Sequence, residues 1–221
     1  MDLSALASEF QRQLDEKMAA RERALAAARR AIRSSANAIR AIHRGEFEVA
    51  HRLMDEARGA LAEGEAAVRQ AHPDVYFAGF LQDAQKEYAE ARLVEALVTE
   101  AELPPPEGLG VDLAPYLNGM AEAIGEGRRA ILDLLRRGEV GRSERLLAAM
   151  EDIYYLLVSM DYPDAITGNL RRSTDAARAI IERTRGDLSV TLVQQRLHDA
   201  LERHARDVLG DPGPGGAATR P

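Results

Sequence analysis

The chain is 221 residues and 24.2 kDa, enough for one sizeable domain or two small ones, and its net charge of −7 argues against indiscriminate binding of nucleic acid over the whole surface. Zero cysteines excludes disulfides, thiolate catalysis and Cys-based zinc sites, and fits a cytoplasmic protein. Aromatics are only 5%, β-branched runs are nearly absent, and alanine and aliphatic residues dominate, which predicts an all-α protein.

Met1-Asp2-Leu3-Ser4 opens directly into a charged amphipathic pattern and does not resemble a signal peptide. No apolar run nears the roughly 20 residues that span a bilayer. Residues 3–43 read as one long helix, or two nearly collinear ones, ended by Gly45 in Arg44-Gly45-Glu46. At about 100° per residue, Arg29, Arg33, Arg40 and Arg44 fall within about 60° of arc, beside an apolar stripe of Leu25, Ala28, Ile32, Ala36 and Ile39. Arginines in line over about four turns suit a phosphate backbone, and equally suit a solvated or salt-bridged helix edge. His43 lies in the apolar stripe and reads as a packed residue rather than a ligand or base.

A second helix covers residues 46–70 and stops near Pro73. The third, residues 74–101, carries Glu87 and Glu90, whose spacing puts both on one face. Asp83, Glu87, Glu90, Val94 and Leu97 share a stripe about 80° wide, so an acidic band runs into an apolar one. After the loop Leu103-Pro104-Pro105-Pro106-Glu107-Gly108, Asp112 caps a fourth helix, with Pro115 tolerable in its first turn. This helix carries Glu122 and Glu126 among Gly119, Ala121, Ala123 and Gly125, small residues that admit a neighbouring helix closely. Four carboxylates facing one another across two helices make an oxygen-rich site for Mg²⁺ or Mn²⁺, which is chemistry for cutting phosphodiesters. The plainer alternative is a solvated face, since the chain holds 36 acidic residues. Glu122, Glu126, Arg129 and Asp133 lie opposite Leu117, Met120, Ile124, Ile131 and Leu135, an arrangement that also suits water. The five histidines form no metal-ligand spacing.

The fourth helix ends at Gly138 in Arg137-Gly138-Glu139, the same cation-glycine-acid stop as at Gly45, and we read the pair as shared hairpin chemistry rather than a repeat. A fifth helix covers residues 142–160. A break at Pro163 and Gly168 precedes a sixth helix to Arg185, and Arg185-Gly186-Asp187 reads as a stop and restart, with Asp187 capping a seventh helix to residue 209. Residues 1–209 are thus one helical domain, and the Gly/Pro-rich residues 210–221 a disordered tail.

The stretch Asp161-Tyr162-Pro163-Asp164-Ala165-Ile166-Thr167-Gly168-Asn169-Leu170-Arg171-Arg172 closely resembles the signature of the translin family. Arg21-Glu22-Arg23, Arg29 and His43-Arg44 resemble the first helix of its sister, translin-associated factor X. Gln85-Lys86-Glu87-Tyr88-Ala89-Glu90-Ala91 and Tyr116-Leu117-Asn118-Gly119-Met120-Ala121-Glu122-Ala123-Ile124-Gly125-Glu126 resemble that sister's catalytic segments. The likeness runs in order from Met18 to Leu201. It implies a seven-helix translin-like bundle that assembles into a closed, barrel-like homo-oligomer, an octamer, enclosing single-stranded RNA, with single-stranded DNA as a second ligand. It further implies an endoribonuclease whose Mg²⁺ (or Mn²⁺) ligands match Glu87, Glu90, Glu122 and Glu126, with Glu122 standing where the sister subunit has Asp. The rival reading is a binding protein of the translin type without catalysis. On the family pattern, Arg29, Arg33, Arg40 and Arg44 would face the RNA-lined cavity, while Arg171 and Arg172 suit interface ion pairs or RNA contacts.

Overall fold

Alanine decides how the helices approach one another. In the computed structural model, which describes residues 3–209, α1 (Ser4–His43) buries Ala24, Ala27, Ala28, Ala31, Ala38 and Ala41 on one face. Side chains that short let α2 (Phe47–Val68) and α4 (Phe80–Thr99) both pack against it. The buried face is wider than the stripe read from the sequence: Leu25, Ile32 and Ala36 of that stripe are only partly buried, at the edge of the alanine seam.

The remaining elements are α3 (Pro73–Tyr76), α5 (Pro106–Leu109), α6 (Leu113–Arg136), α7 (Val140–Val158), α8 (Asp164–Thr167) and α9 (Leu170–Leu209). The described residues contain no strand, so the fold is all-α as expected. The order of packing is serial: α1 with α2, α4 against α1 and α2, α6 against α4, then α7 and α9 against α6. The two central helices, α4 and α6, therefore carry the glutamate pairs at the middle of the bundle.

The two Arg-Gly-Glu stops are structurally alike. Gly45 (φ 74°) and Gly138 (φ 76°) take the left-handed conformation that ends a helix. The amide of Gly45 donates to Ile42 O and that of Glu46 to Ala41 O, while Gly138 and Glu139 donate to Leu135 O and Leu134 O. The flanking charges close each turn: Arg44 grips Glu46 through two bonds of 2.6 and 2.8 Å, and Arg137 Nε donates to Glu139 at 2.7 Å.

Three local expectations change. The helix from residue 74 is interrupted, because Gly79 (φ 103°) breaks α3 from α4. Asp112 stands at the start of α6, but its carboxylate accepts from Tyr76 Oη at 2.8 Å instead of capping the helix. Gly186 and Asp187 do not split α9, which runs through them without a break. An interior glycine costs only about 1 kcal/mol, and the packing on either side outweighs it: Thr184 and Leu188 are buried, and Asp187 pairs with Arg128 of α6 at 2.8 Å. The expected tail, residues 210–221, lies outside the described residues.

Candidate metal and nucleic-acid site

The site begins with a glycine. A Cβ on Gly119 would lie 2.7 Å from Lys86 O and 3.0 Å from Glu90 N, so the α6 backbone touches the α4 backbone between the two glutamate pairs. Only glycine permits that approach. Gly125 does not play the same part, because a Cβ there would meet only Ile180 Cδ1 at an ordinary 3.8 Å.

Two polar residues of the same segments lock the helices in register. Gln85 is fully buried; its amide donates to Glu65 (2.7 Å) and Tyr76 Oη (3.2 Å), and its oxygen accepts from the Asp112 amide (3.1 Å). Asn118 donates to Thr167 O (2.7 Å) and accepts from Ser173 (2.8 Å), which fastens α6 to the α8–α9 corner. In that corner Gly168 (φ 62°) and Asn169 (φ 66°) are both left-handed. The Asp161–Arg172 stretch thus works as a structural joint, and Arg171 spends its charge on Asp161 at 3.4 Å.

On this frame Glu87, Glu90 and Glu122 each place a carboxylate oxygen within 4.8 Å of the others. Glu90 is 8% exposed, and its carboxylate makes no hydrogen bond or ion pair among the described residues. Burial, and then the charges of Glu122, Glu87 and Glu126, push its pKa up to about 8. Burial also raises Glu87, though less. The sequence groups Glu126 with these residues as a fourth carboxylate; in the structure it lies outside the close group that the other three form. It turns to His43 of α1, whose buried Nε2 donates to Glu126 Oε2 at 2.5 Å, and this bond holds the carboxyl below its usual range.

Two participants were not among the residues marked in the sequence. His43 had read as a packed histidine, and it is packed, but its ring nitrogen serves Glu126 across 83 positions of chain. Lys86 reaches into the carboxylates, with Nζ 2.6 Å from Glu122 Oε1 and 3.4 Å from Glu87 Oε1. Burial alone would lower this ammonium, but Glu122 and Glu87 outweigh it and raise its pKa. Every oxygen here is a carboxylate, and no thiolate is present, so the donor set fits a hard divalent cation such as Mg²⁺ or Mn²⁺.

Arg29, Arg33 and Arg40 lie exposed along α1, and Arg44 is exposed just beyond its last residue. Arg44 is engaged by Glu46 and Arg40 by Asn37 at 2.7 Å, whereas Arg29 and Arg33 have no partner among the described residues. By helical phase the row borders the face that carries His43, with Arg40 about 60° around from it and Arg29 about 21 Å further along the axis. The arginines thus lead along α1 toward the edge of the acidic group.

No model of a known protein family matches the chain. It is 30% identical over 196 residues to an uncharacterized protein of Methanocaldococcus jannaschii, covering 86% of this chain and 84% of that one. Among solved structures it resembles AfC3PO at 34% identity (TM-score 0.76) and AfC3PO in complex with duplex RNA at 33% (TM-score 0.77), each over 85% of this chain and 97% of the other. The apo-NeC3PO structure, at 22% identity and TM-score 0.70 over 86% of this chain and 97% of the other, shares the fold. With the glutamate segments and the Asp161–Arg172 joint in place on that architecture, the chain belongs to the translin and translin-associated factor X family of C3PO-type proteins.

Proposed function

We propose that this protein is a metal-dependent endoribonuclease acting on single-stranded RNA, with single-stranded DNA as a second ligand. One observation carries the reading: Glu90 is a buried, unpaired carboxylate that shares its space with two others. Three acids this close raise the cost of ionising one another, and Lys86 offsets that only at Glu87 and Glu122, which leaves the buried Glu90 without compensation. A divalent cation reverses that cost, and Glu87, Glu90 and Glu122 are the residues that would hold it. Bound there, Mg²⁺ or Mn²⁺ supplies a polarised water and neutralises charge on the phosphate. The His43 bond keeps Glu126 ionised and fixes its direction, which suits this carboxylate to accept a hydrogen bond from the water and orient it at the edge of the group. The arginine row then holds the strand by its phosphates.

RNA as the ligand is supported by the AfC3PO complex, which holds duplex RNA. Duplex therefore belongs in the assay beside single strands. We further propose a closed homo-oligomer, an octamer, in the cytoplasm. Leu3, Leu6, Phe10, Leu14 and Met18 on α1, and Val190, Val193, Leu197 and Leu201 on α9, expose apolar stripes at helical spacing that association would cover. No helix among the described residues is long and apolar enough to cross a membrane.

The test is cleavage of labelled single-stranded RNA, single-stranded DNA and duplex RNA in Mg²⁺, Mn²⁺ or EDTA, with light scattering on the same preparation. Metal-dependent cleavage of single-stranded RNA by a stable oligomer is the expected result. Tight binding without cleavage in either metal would leave a translin-type binding protein.

A further inference from the structure

We infer that Lys86 is a resident counter-cation of the carboxylate group, competing with the divalent ion for Glu87 and Glu122 and turning to the substrate's phosphate when the ion displaces it. The inference rests on the metal-site reading above. By phase Lys86 lies about 100° from Glu87 but only about 40° from Glu90, one turn on, so it borders the acidic stripe and its four-carbon stem carries the ammonium across to Glu87 and Glu122. Its Nζ is 2.6 Å from Glu122 Oε1 and 3.4 Å from Glu87 Oε1, with the side chain 23% exposed. The root of the residue cannot shift, because the α6 backbone at Gly119 is seated against Lys86 O. The stem alone is free to swing.

Two of the three carboxylates an ion would take, Glu87 and Glu122, are the ones that contact the ammonium. A cation bound to Glu122 at about 2.1 Å would stand no more than about 5 Å from Nζ, and two positive charges sharing that oxygen repel strongly in a half-buried pocket. The side chain is 23% exposed, so an ammonium displaced from the carboxylates has solvent to turn into, and with it a phosphate bound beside the ion. A compact ammonium with three donors suits that phosphate. Lys86 is thereby a positioning residue whose partner changes with the state of the site.

The experiment compares the full-length wild-type protein, Lys86→Met and Lys86→Arg, with folding checked by circular dichroism. First, Mn²⁺ alone is titrated calorimetrically. Lys86→Met should bind Mn²⁺ about tenfold or more tightly than wild type, and Lys86→Arg should stay within a few-fold of it. Equal or weaker Mn²⁺ binding by folded Lys86→Met, with binding intact in wild type, overturns the inference and leaves the metal-site reading standing. No Mn²⁺ binding by any of the three removes both. Second, a 2′-O-methyl single-stranded RNA is bound in EDTA and in saturating Mn²⁺. The wild type should gain affinity over Lys86→Met only in Mn²⁺; an equal ratio in both buffers overturns the move to phosphate.

Discussion

The α4–α6 carboxylates and the α1 arginines are both rows of like charge, yet they stand under opposite physical constraint. The acids are held by packing: a glycine contact sets the helix separation, Gln85 and Asn118 fix the register, and Glu90 is buried without a partner. The arginines are exposed and cost the fold little, Arg40 hydrogen-bonded to Asn37 and Arg44 paired with Glu46. A charge that the fold must strain to keep says more about function than one that water would accept anywhere. The comparison also orders the consequences of mutation, from the acids to the arginines.

The largest effect is expected at the acids. Glu87→Gln, Glu90→Gln or Glu126→Gln keeps volume and helix propensity while removing charge. Each should lower RNA cleavage on the order of a hundredfold or more, with binding retained or tightened because a carboxylate that repels phosphate is gone. Glu122→Asp should stay active, since it restores the residue of the related catalytic subunit. Single-turnover cleavage beside filter binding separates the two readouts. Full activity in Glu87→Gln combined with Glu126→Gln would return these residues to an ordinary polar face.

Glu90 gives the same comparison a thermodynamic edge. Its pKa rises from 4.5 to about 8 in the folded protein. A raised acid favours the fold below its unfolded value and loses that contribution as pH climbs through the folded value. In EDTA the wild type should therefore lose stability between about pH 4.5 and 8, by up to a few kcal/mol at about 1.4 kcal/mol per pKa unit. Glu90→Gln should flatten that slope and melt higher at pH 8.5, and thermal melts at pH 5, 6.5 and 8.5 are the check. No arginine substitution on α1 should reproduce this, because an exposed cation has no comparable burial to relieve.

Next comes the frame. Gly119→Ala must push against Lys86 O, and backbone cannot yield as a side-chain tip can, so we expect a loss of about 1–3 kcal/mol. Gly125→Ala, whose Cβ would make only an ordinary contact with Ile180, should be neutral or stabilising by up to about 1 kcal/mol from helix propensity. Chemical denaturation of the two variants decides whether α4 and α6 meet as described.

Much of this was legible in the sequence because local chemistry controls it. The Arg-Gly-Glu stops, the prolines and the acidic band running into Val94 and Leu97 all act within a few residues. The misses share one cause, which is contact across long stretches of chain. His43 bonds Glu126 from another helix, and no spacing rule links them. Lys86 borders the acidic stripe one turn before Glu90, but its bond to Glu122 crosses to another helix, which no spacing rule shows. Gly186-Asp187 carries a valid local stop signal, but Arg128 and the core around Leu188 override it. Glu126 joins the set in the sequence by helical phase and by the family motif, and neither says which neighbour a carboxylate turns to. The available signals for His43 are its place on an otherwise apolar stripe and the family likeness of His43-Arg44.

The smallest effect, and the sharpest on the arginine side, is a salt slope. If the α1 row tracks phosphates, each arginine adds a similar increment that does not depend on base sequence, and log K falls with log[salt] by about 0.7 to 0.9 per contact. Arg29→Gln with Arg33→Gln should then reduce the slope for single-stranded RNA by roughly 1.4 to 1.8. These two lack partners, so nothing else is broken when they go. Arg40→Gln with Arg44→Gln should reduce it less, because Asn37 and Glu46 already hold those guanidinium groups and must release them to phosphate. Fluorescence anisotropy from low to moderate salt measures both pairs. An unchanged slope in the first pair would make the row a solvated edge or a contact between subunits, and the acids would then need another route for the strand to reach them.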